Sequence, residues 1–228
     1  MIKPYFQTEI GKLYCGDSYE IMKSLDLSKY AILTDPNYGE NQNLKRAIED
    51  LAYPKRISNR MILKRKDWPD INDSKPSDVK PFLSFKQVII WGGNYFDLPA
   101  SRCWIIWDKM HNPPDNHHDC EMAWTNLPGV TRIHHQLWRG VCREGEENIV
   151  NGPKLHPFQK PIRLFSFCIG QLKGKPPIFD PFAGSGTTPA ICERIGRPWL
   201  AIEIKEEFCS TIKNRVSEIA KQKNLFNY

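Results

Sequence analysis

Six short apolar runs most restrict how this chain can fold: "KLYCGD", "YAILTDPNYG", "QVIIWGGNYF", "CWIIWDK", "PPIFDPFAGSG" and "RPWLAIEI". They are too short for helices, they are rich in β-branched and aromatic residues, and most close on Gly, Asp or Asn. These are the marks of buried parallel strands. Helical patterns fall between several of them, namely "SYEIMKSL", "KPIRLFSFCIGQL" and "TTPAICERIG". The alternation predicts an α/β sheet with helices on its faces. Near the end, Phe208, Ile212, Val216 and Ile219 recur at helical spacing behind Glu206 and Glu207, which predicts an amphipathic closing helix with acids in its first turn. At 228 residues the chain is expected to be a single domain, 1–228, with a substantial core.

Two segments interrupt the alternation. Residues 40–80 are polar and basic and contain Pro54, Pro69 and Pro76, with Pro81 just beyond, and residues 109–155 are rich in His, Pro and Gly. Both are expected to be inserted binding segments. Between Leu51 and Lys66 the chain carries Lys55, Arg56, Arg60, Lys64, Arg65 and Lys66 with no acid, within a net charge of +6. Such a run suits a phosphate backbone, and a solvated loop would explain it as well.

Composition removes several classes. A mean hydropathy of -0.52 leaves no apolar run long enough to cross a bilayer, and "MIKPYFQTEIGKLY" lacks the apolar core of a signal peptide. Seven cysteines without a C-x-x-C pair predict reduced thiols and a cytoplasmic location. "HHDC", His134, His135 and Cys142 have metal-ligating residue types without the paired spacing of a structural zinc site, so no metal is expected. Trp91, Trp104, Trp107 and Trp124 are expected in the core and in pocket walls.

The strongest local signal is "PIFDPFAGSGTTPAICERIG". A strand ends at Asp180, Gly184 and Gly186 form a turn, and Thr187 and Thr188 are expected to cap a helix. Glycines there let backbone N–H groups approach a ligand, and a helix N-terminus favours negative charge. The spacing is G-x-G without a third glycine before Gly196, and no G-K-[ST] follows, which argues against a dinucleotide fingerprint and a phosphate loop. The next strand, "PWLAIEI", puts Glu203 at its end, where an acid holds a ribose diol in nucleotide-type sites. "TDPNYG" supports two readings. Asp-Pro-Asn-x-Gly is turn chemistry, and it is also a carboxylate, a rigid carbonyl and an aromatic face held at a sheet edge.

Taken together, "DPFAGSGTT", "HPFQKPIRL" and "TDPNYG" resemble the cofactor motif, its companion and the catalytic motif of the amino-type DNA methyltransferases. The catalytic motif precedes the cofactor motif, which resembles the circularly permuted β-class order. "LYCGDSYEIM", "VIIWGGNYF", "CWIIWDK" and "EMAWTN" also resemble segments of that family, so the likeness covers most of the chain. It implies a Rossmann-like methyltransferase fold with a mostly parallel central sheet. The implied activity is transfer of a methyl group from S-adenosylmethionine to adenine N6 of a flipped-out base in double-stranded DNA, within a restriction-modification setting. The alternatives are cytosine N4 as the acceptor, or a cofactor-binding but inactive DNA-binding module.

By the same resemblance the catalytic residues are Asp35, Pro36, Asn37 and Tyr38. The Asp35 carboxylate and the Pro36 carbonyl would each accept one N–H of the amine and aim its lone pair, and Tyr38 would stack on the base. The implied cofactor contacts are Asp17, Asp35, His156, Gln159, Lys160, Asp180, Phe182, Ala183, Gly184, Ser185, Gly186, Thr187, Glu203 and Ile204, with Glu203 at the ribose and Asp17 near the adenine amine. Asp17 also reads as an ordinary helix cap. DNA contacts are expected from the basic run, and a homodimer by analogy. The 5-carbon cytosine methyltransferases use a thiol nucleophile in Pro-Cys, a dipeptide absent here. Asn37 stands where the family has proline; it adds an N–H and frees φ, so a looser catalytic turn is expected.

Overall fold

The computed structural model describes residues 2–40, 74–110, 118–139, 142–143 and 159–225. Lys55, Arg56, Arg60, Lys64, Arg65, Lys66 and His156 lie outside the described residues.

Among the described residues, eleven strands and four helices follow in chain order. They are β1 (Phe6–Gln7), β2 (Gly11–Cys15), α1 (Ser18–Met22), β3 (Ala31–Thr34), β4 (Val88–Trp91), β5 (Trp104–Asp108), β6 (Cys120–Thr125) and β7 (Arg132–His135). After them come β8 (Trp138–Arg139), β9 (Cys142–Arg143), α2 (Ile162–Gln171), β10 (Ile178–Asp180), α3 (Thr187–Ile195), β11 (Trp199–Glu203) and α4 (Glu206–Leu225). All six apolar runs form strands and all four helical patterns form helices.

The main sheet has the order β1-β2-β11-β10-β3-β4-β6-β5-β7, with β8 and β9 as a separate two-stranded antiparallel sheet. From β2 to β4 every pairing is parallel. β1 is antiparallel to β2, and β6 is antiparallel to both β4 and β5. Parallel pairing was expected for all six runs, and β5 departs from it. It pairs antiparallel with β6 and parallel with β7. Residues 109–155 are therefore partly framework, since β6 and β7 belong to the main sheet.

Side-chain alternation sorts the core into two layers. Leu33, Ile89, Trp91, Trp199 and Ala201 face one side with Leu164, Cys168, Ile191, Ile212 and Val216 of α2, α3 and α4. Ile32, Val88, Ile90, Leu200 and Ile202 face the other with Ile21 of α1, Leu27 and Phe82. β3, β4, β10 and β11 are buried along their whole length, as strands covered on both faces must be. Among the described residues no helix is long and apolar enough to cross a membrane.

This topology determines where a site can form. β2, β11, β10, β3, β4 and β5 all point their C-terminal ends to one edge, and β6, running the other way, begins there. In open α/β sheets ligands bind beyond that edge where the connectivity reverses, here between β10 and β3.

Candidate active site

Four strand ends build the floor. β10 ends at Asp180, which is 3% exposed and accepts hydrogen bonds from Thr34 Oγ1 (2.8 Å), Thr188 Oγ1 (2.5 Å) and Phe182 N (3.1 Å). Burial pushes its carboxyl up to about 6 against the pull of those three donors. Asp180 thereby ties β3, the glycine turn and α3 together. The threonines do not cap α3 as expected. Its N-cap is Gly186, without a side-chain cap bond; Thr188 donates to Asp180 and Thr187 Oγ1 donates to the Lys160 carbonyl at 3.1 Å.

The glycine turn follows. Ala183 N donates to Ile202 O at 3.0 Å, and the Ser185 carbonyl accepts from Arg215 at 2.9 Å. Gly186 has φ +76°, and a Cβ there would lie 2.8 Å from Ile212 of α4, so both conformation and space demand glycine. Gly184 N donates to Glu203 Oε2 at 2.8 Å, and Lys205 N donates to Oε1 at 2.9 Å. Glu203 is 7% exposed, and burial pushes its carboxyl up to about 7. Beside it Ile204 is 61% exposed. Asp17 accepts from Glu20 N at 3.1 Å as the N-cap of α1, next to Gly16, whose N–H donates to the Glu203 carbonyl at 2.9 Å.

β3 leads directly into Asp35. Its carboxylate accepts from the Tyr38 hydroxyl at Oδ1 and from Lys160 Nζ at Oδ2, the latter at 2.5 Å. Burial pushes the Asp35 carboxyl up, offset by Lys160 and reinforced by Glu121. Burial and the Asp35 charge raise the Tyr38 hydroxyl well above its ordinary range, which keeps it a donor. Pro36 is buried. The Tyr38 ring lies parallel to Tyr95, with centroids 4.9 Å apart and planes 6° from parallel, and Phe96 meets it edge-on at 6.1 Å. Gly92 makes room for that ring, because a Cβ at Gly92 would fall 2.1 Å from Tyr38 Cε1.

Asn37 corrects an expectation. Its side chain donates to the Lys75 carbonyl and accepts from Gly39 N, both at 3.1 Å, while its carbonyl accepts from Ser77 N at 2.9 Å. Proline could supply only the last of these. The freedom gained in φ is thus offset by a clasp between the turn and residues 75–77, and the turn is pinned.

Gln159 and Lys160 are both buried. Lys160 Nζ contacts Glu121 Oε2 at 3.1 Å and lies 5.7 Å from the centre of the Tyr38 ring. Glu121 in turn pairs with Lys109 at 2.7 Å. Burial opposes ionisation of both Lys160 and Glu121, but the pairing wins; Lys160 is held charged, and its cation with that of Lys109 brings Glu121 down to about 2. Sequence reasoning found neither Glu121 nor Lys109 nor Tyr95. Alternation along "EMAWTN" could have placed Glu121 on a face, but only the β5–β6 register, pairing Trp107 with Glu121, brings Lys109 beside it. Among the described residues no group of three or more His, Cys, Asp or Glu is arranged to hold a metal ion.

The structure therefore gathers Asp35–Tyr38, Lys160, Asp180, Phe182–Thr187, Glu203 and Asp17 along one sheet edge. A carboxylate beside an aromatic ring adjoins a glycine turn backed by a buried acid. Such a constellation can orient a flat nitrogenous group and take a proton from it.

A model of the DNA methylase family matches residues 106–214. The type II methyltransferase M.BamHI of Bacillus amyloliquefaciens is 27% identical over 98% of this chain and 61% of its own length. M.HinfI of Haemophilus influenzae, also a type II methyltransferase, is 32% identical over 39% of this chain and 25% of its own. The chain thus spans less than two thirds of either relative. Among solved structures, the M1.HpyAVI complex with SAM superimposes with a TM-score of 0.52 at 20% identity, covering 90% of this chain and 98% of that one. The PvuII cytosine-N4-specific DNA methyltransferase does so at 0.53 and 16%, covering 96% and 94%. At these identities the structural likeness establishes the fold, and over the residues matched the chain is similar to the N6/N4 amino-type DNA methylases.

Proposed function

We propose that the protein methylates the exocyclic amine of a base flipped out of double-stranded DNA, using S-adenosylmethionine, with adenine N6 as the acceptor. The observation that carries this reading is the position of Asp35, one strand from the glycine turn and two from Glu203, across the point where sheet connectivity reverses. The donor set fits the cofactor. Glu203 is a buried carboxylate suited to a ribose diol, Gly184 leaves its position in the turn without a side chain, and exposed Ile204 offers apolar surface beside the acid. When bound, S-adenosylmethionine supplies an electrophilic methyl group on a sulfonium.

The chain's own residues do the rest. An exocyclic amine is a poor nucleophile because its lone pair is delocalised into the ring. Asp35 Oδ1 accepts one N–H in place of the Tyr38 hydroxyl, the Pro36 carbonyl accepts the other, and the nitrogen is drawn toward tetrahedral geometry. Asp35 then takes the proton that the methylated amine sheds. Tyr38 offers its ring to the base, which helps offset an unstacking cost of a few kcal/mol. Asp at the first motif position leans toward adenine by the family pattern, and the pinned Asn37 turn favours an active site over an inert binding module. The basic run 55–66 is assigned to the DNA backbone.

Incubation with methyl-labelled S-adenosylmethionine and unmethylated duplex DNA, followed by digestion to nucleosides, tests the reading. N6-methyladenine is expected. N4-methylcytosine would transfer the assignment to the other base, and binding of cofactor without transfer would refute the activity.

A further inference from the structure

Glu121 is a charged group in this centre to which the proposed reaction gives no task. It enters from β6, the one strand of the sheet interior that runs against its neighbours, and so reaches the edge where β3 and β4 end. Lys160 Nζ stands between two carboxylates, 2.5 Å from Asp35 Oδ2 and 3.1 Å from Glu121 Oε2. Glu121 has a second cation, Lys109 at 2.7 Å from Oε1. The side chains of Lys160, Asp35 and Glu121 are 8%, 18% and 24% exposed, so these charges act on one another with little screening by water.

We propose that Glu121 is a positioning residue that, backed by Lys109, shares the charge of Lys160 with Asp35 and so keeps Asp35 basic enough to accept the proton leaving the amine. This rests on the proposed amine methylation. A carboxylate fully matched by its own lysine holds protons weakly; one that shares its lysine with a second carboxylate holds them better. Lys109 makes the sharing unequal, since it lets Glu121 remain ionised and assigns the proton-accepting role to Asp35. Lys160 is meanwhile held from three sides, by Asp35, by Glu121 and by the Tyr38 ring. The groups facing Asp35 are Tyr38 from its own turn, Lys160 from the segment before α2, Glu121 from β6 and Asp180 from β10; Lys109 and Tyr95 stand behind Glu121 and Tyr38.

The test is a carbon-13 NMR titration of the Asp35 carboxyl in the full-length protein, assigned with Asp35→Asn, alongside the pH profile of methyl transfer. Glu121→Gln is expected to lower the Asp35 midpoint by about one pH unit and move the acid limb of kcat down with it, with KM for S-adenosylmethionine unchanged within about twofold. Lys109→Met is expected to raise the midpoint, because Glu121 then draws harder on Lys160. Glu121→Asp, which keeps the charge, is expected to restore it. An unchanged midpoint in folded Glu121→Gln overturns the proposal; if that variant does not fold, an unchanged midpoint in Lys109→Met does so. A purely structural role for Glu121 would reduce activity without moving either curve. Absence of transfer by the wild type would refute the methylation reading, and the carboxyl titration would still decide how the charge is divided.

Discussion

Stability should fall as the pH rises through neutrality, and Glu203 sets the size of the effect. Its carboxyl is pushed from an ordinary 4.5 to about 7 in the folded protein. A raised folded pKa means the native state binds protons more tightly than the unfolded chain. The stability is therefore present in full below the unfolded value and is lost as the pH climbs through the folded one. At about 1.4 kcal/mol per pH unit of separation, the whole effect is about 3 kcal/mol, of which about 2.5 kcal/mol falls between pH 5 and pH 8.5. Asp180, raised to about 6, adds a slope of the same sign at slightly lower pH, so Glu203 must be isolated by difference. Glu203→Gln serves for that. It removes the titration but leaves only one oxygen for the two donors Gly184 N and Lys205 N, at a pH-independent cost of about 1–3 kcal/mol. Urea denaturation of both proteins at pH 5 and pH 8.5 gives four free energies. The wild type should lose about 2.5 kcal/mol more than the variant over that interval. Equal losses would refute the argument that Glu203 is buried at a cost in its charged form.

Other consequences are equally open to measurement. Lys160→Met leaves Asp35 and Glu121 facing each other without their shared cation; it should cost about 3 kcal/mol in denaturation experiments and lower methyl transfer at least tenfold. Asn37→Pro, expected from the family pattern to tighten the turn, should instead lose two side-chain hydrogen bonds worth about 2 kcal/mol together and slow transfer; a faster variant would show that the clasp to Lys75 is dispensable. Neutralising Lys64, Arg65 and Lys66 should weaken DNA binding and reduce the salt slope by about one per lost phosphate contact, whereas an unchanged slope would remove that run from the interface.

What could be read from the sequence was what depends on local pattern. The buried strands announced themselves because sequences such as "VIIW" and "WLAIE" are apolar throughout, and α4 because Phe208, Ile212, Val216 and Ile219 recur every three or four residues. β6 and β7 were harder to see. They lie toward the end of the sheet, and exposed or half-buried residues such as Cys120, Arg132 and His135 break their apolar signal. The Asp35–Lys160 contact joins residues 125 positions apart, and resemblance had named both without pairing them. Glu121 and Lys109 carried no motif; only the antiparallel insertion of β6 brings them to the centre. Thr187 and Thr188 looked like caps because caps are the usual employment of threonine before a helix, and here the buried Asp180 and the Lys160 carbonyl claimed their hydroxyls instead.

The clasp at Asn37 bears on how such a scaffold can diversify. Tyr38 bridges to Pro76, so the chain leaves the Asp35–Gly39 turn and returns to it at the same place. A connection whose two ends are fixed side by side adds little to the folding cost as it grows, about 0.6 kcal/mol for each doubling of its length. Lengthening the connection between Gly39 and Lys75 is therefore expected to cost the fold little. The edge at Asp35–Tyr38 would then act as a socket, with the connection between its two ends expected to tolerate a change of length while that edge stays in register.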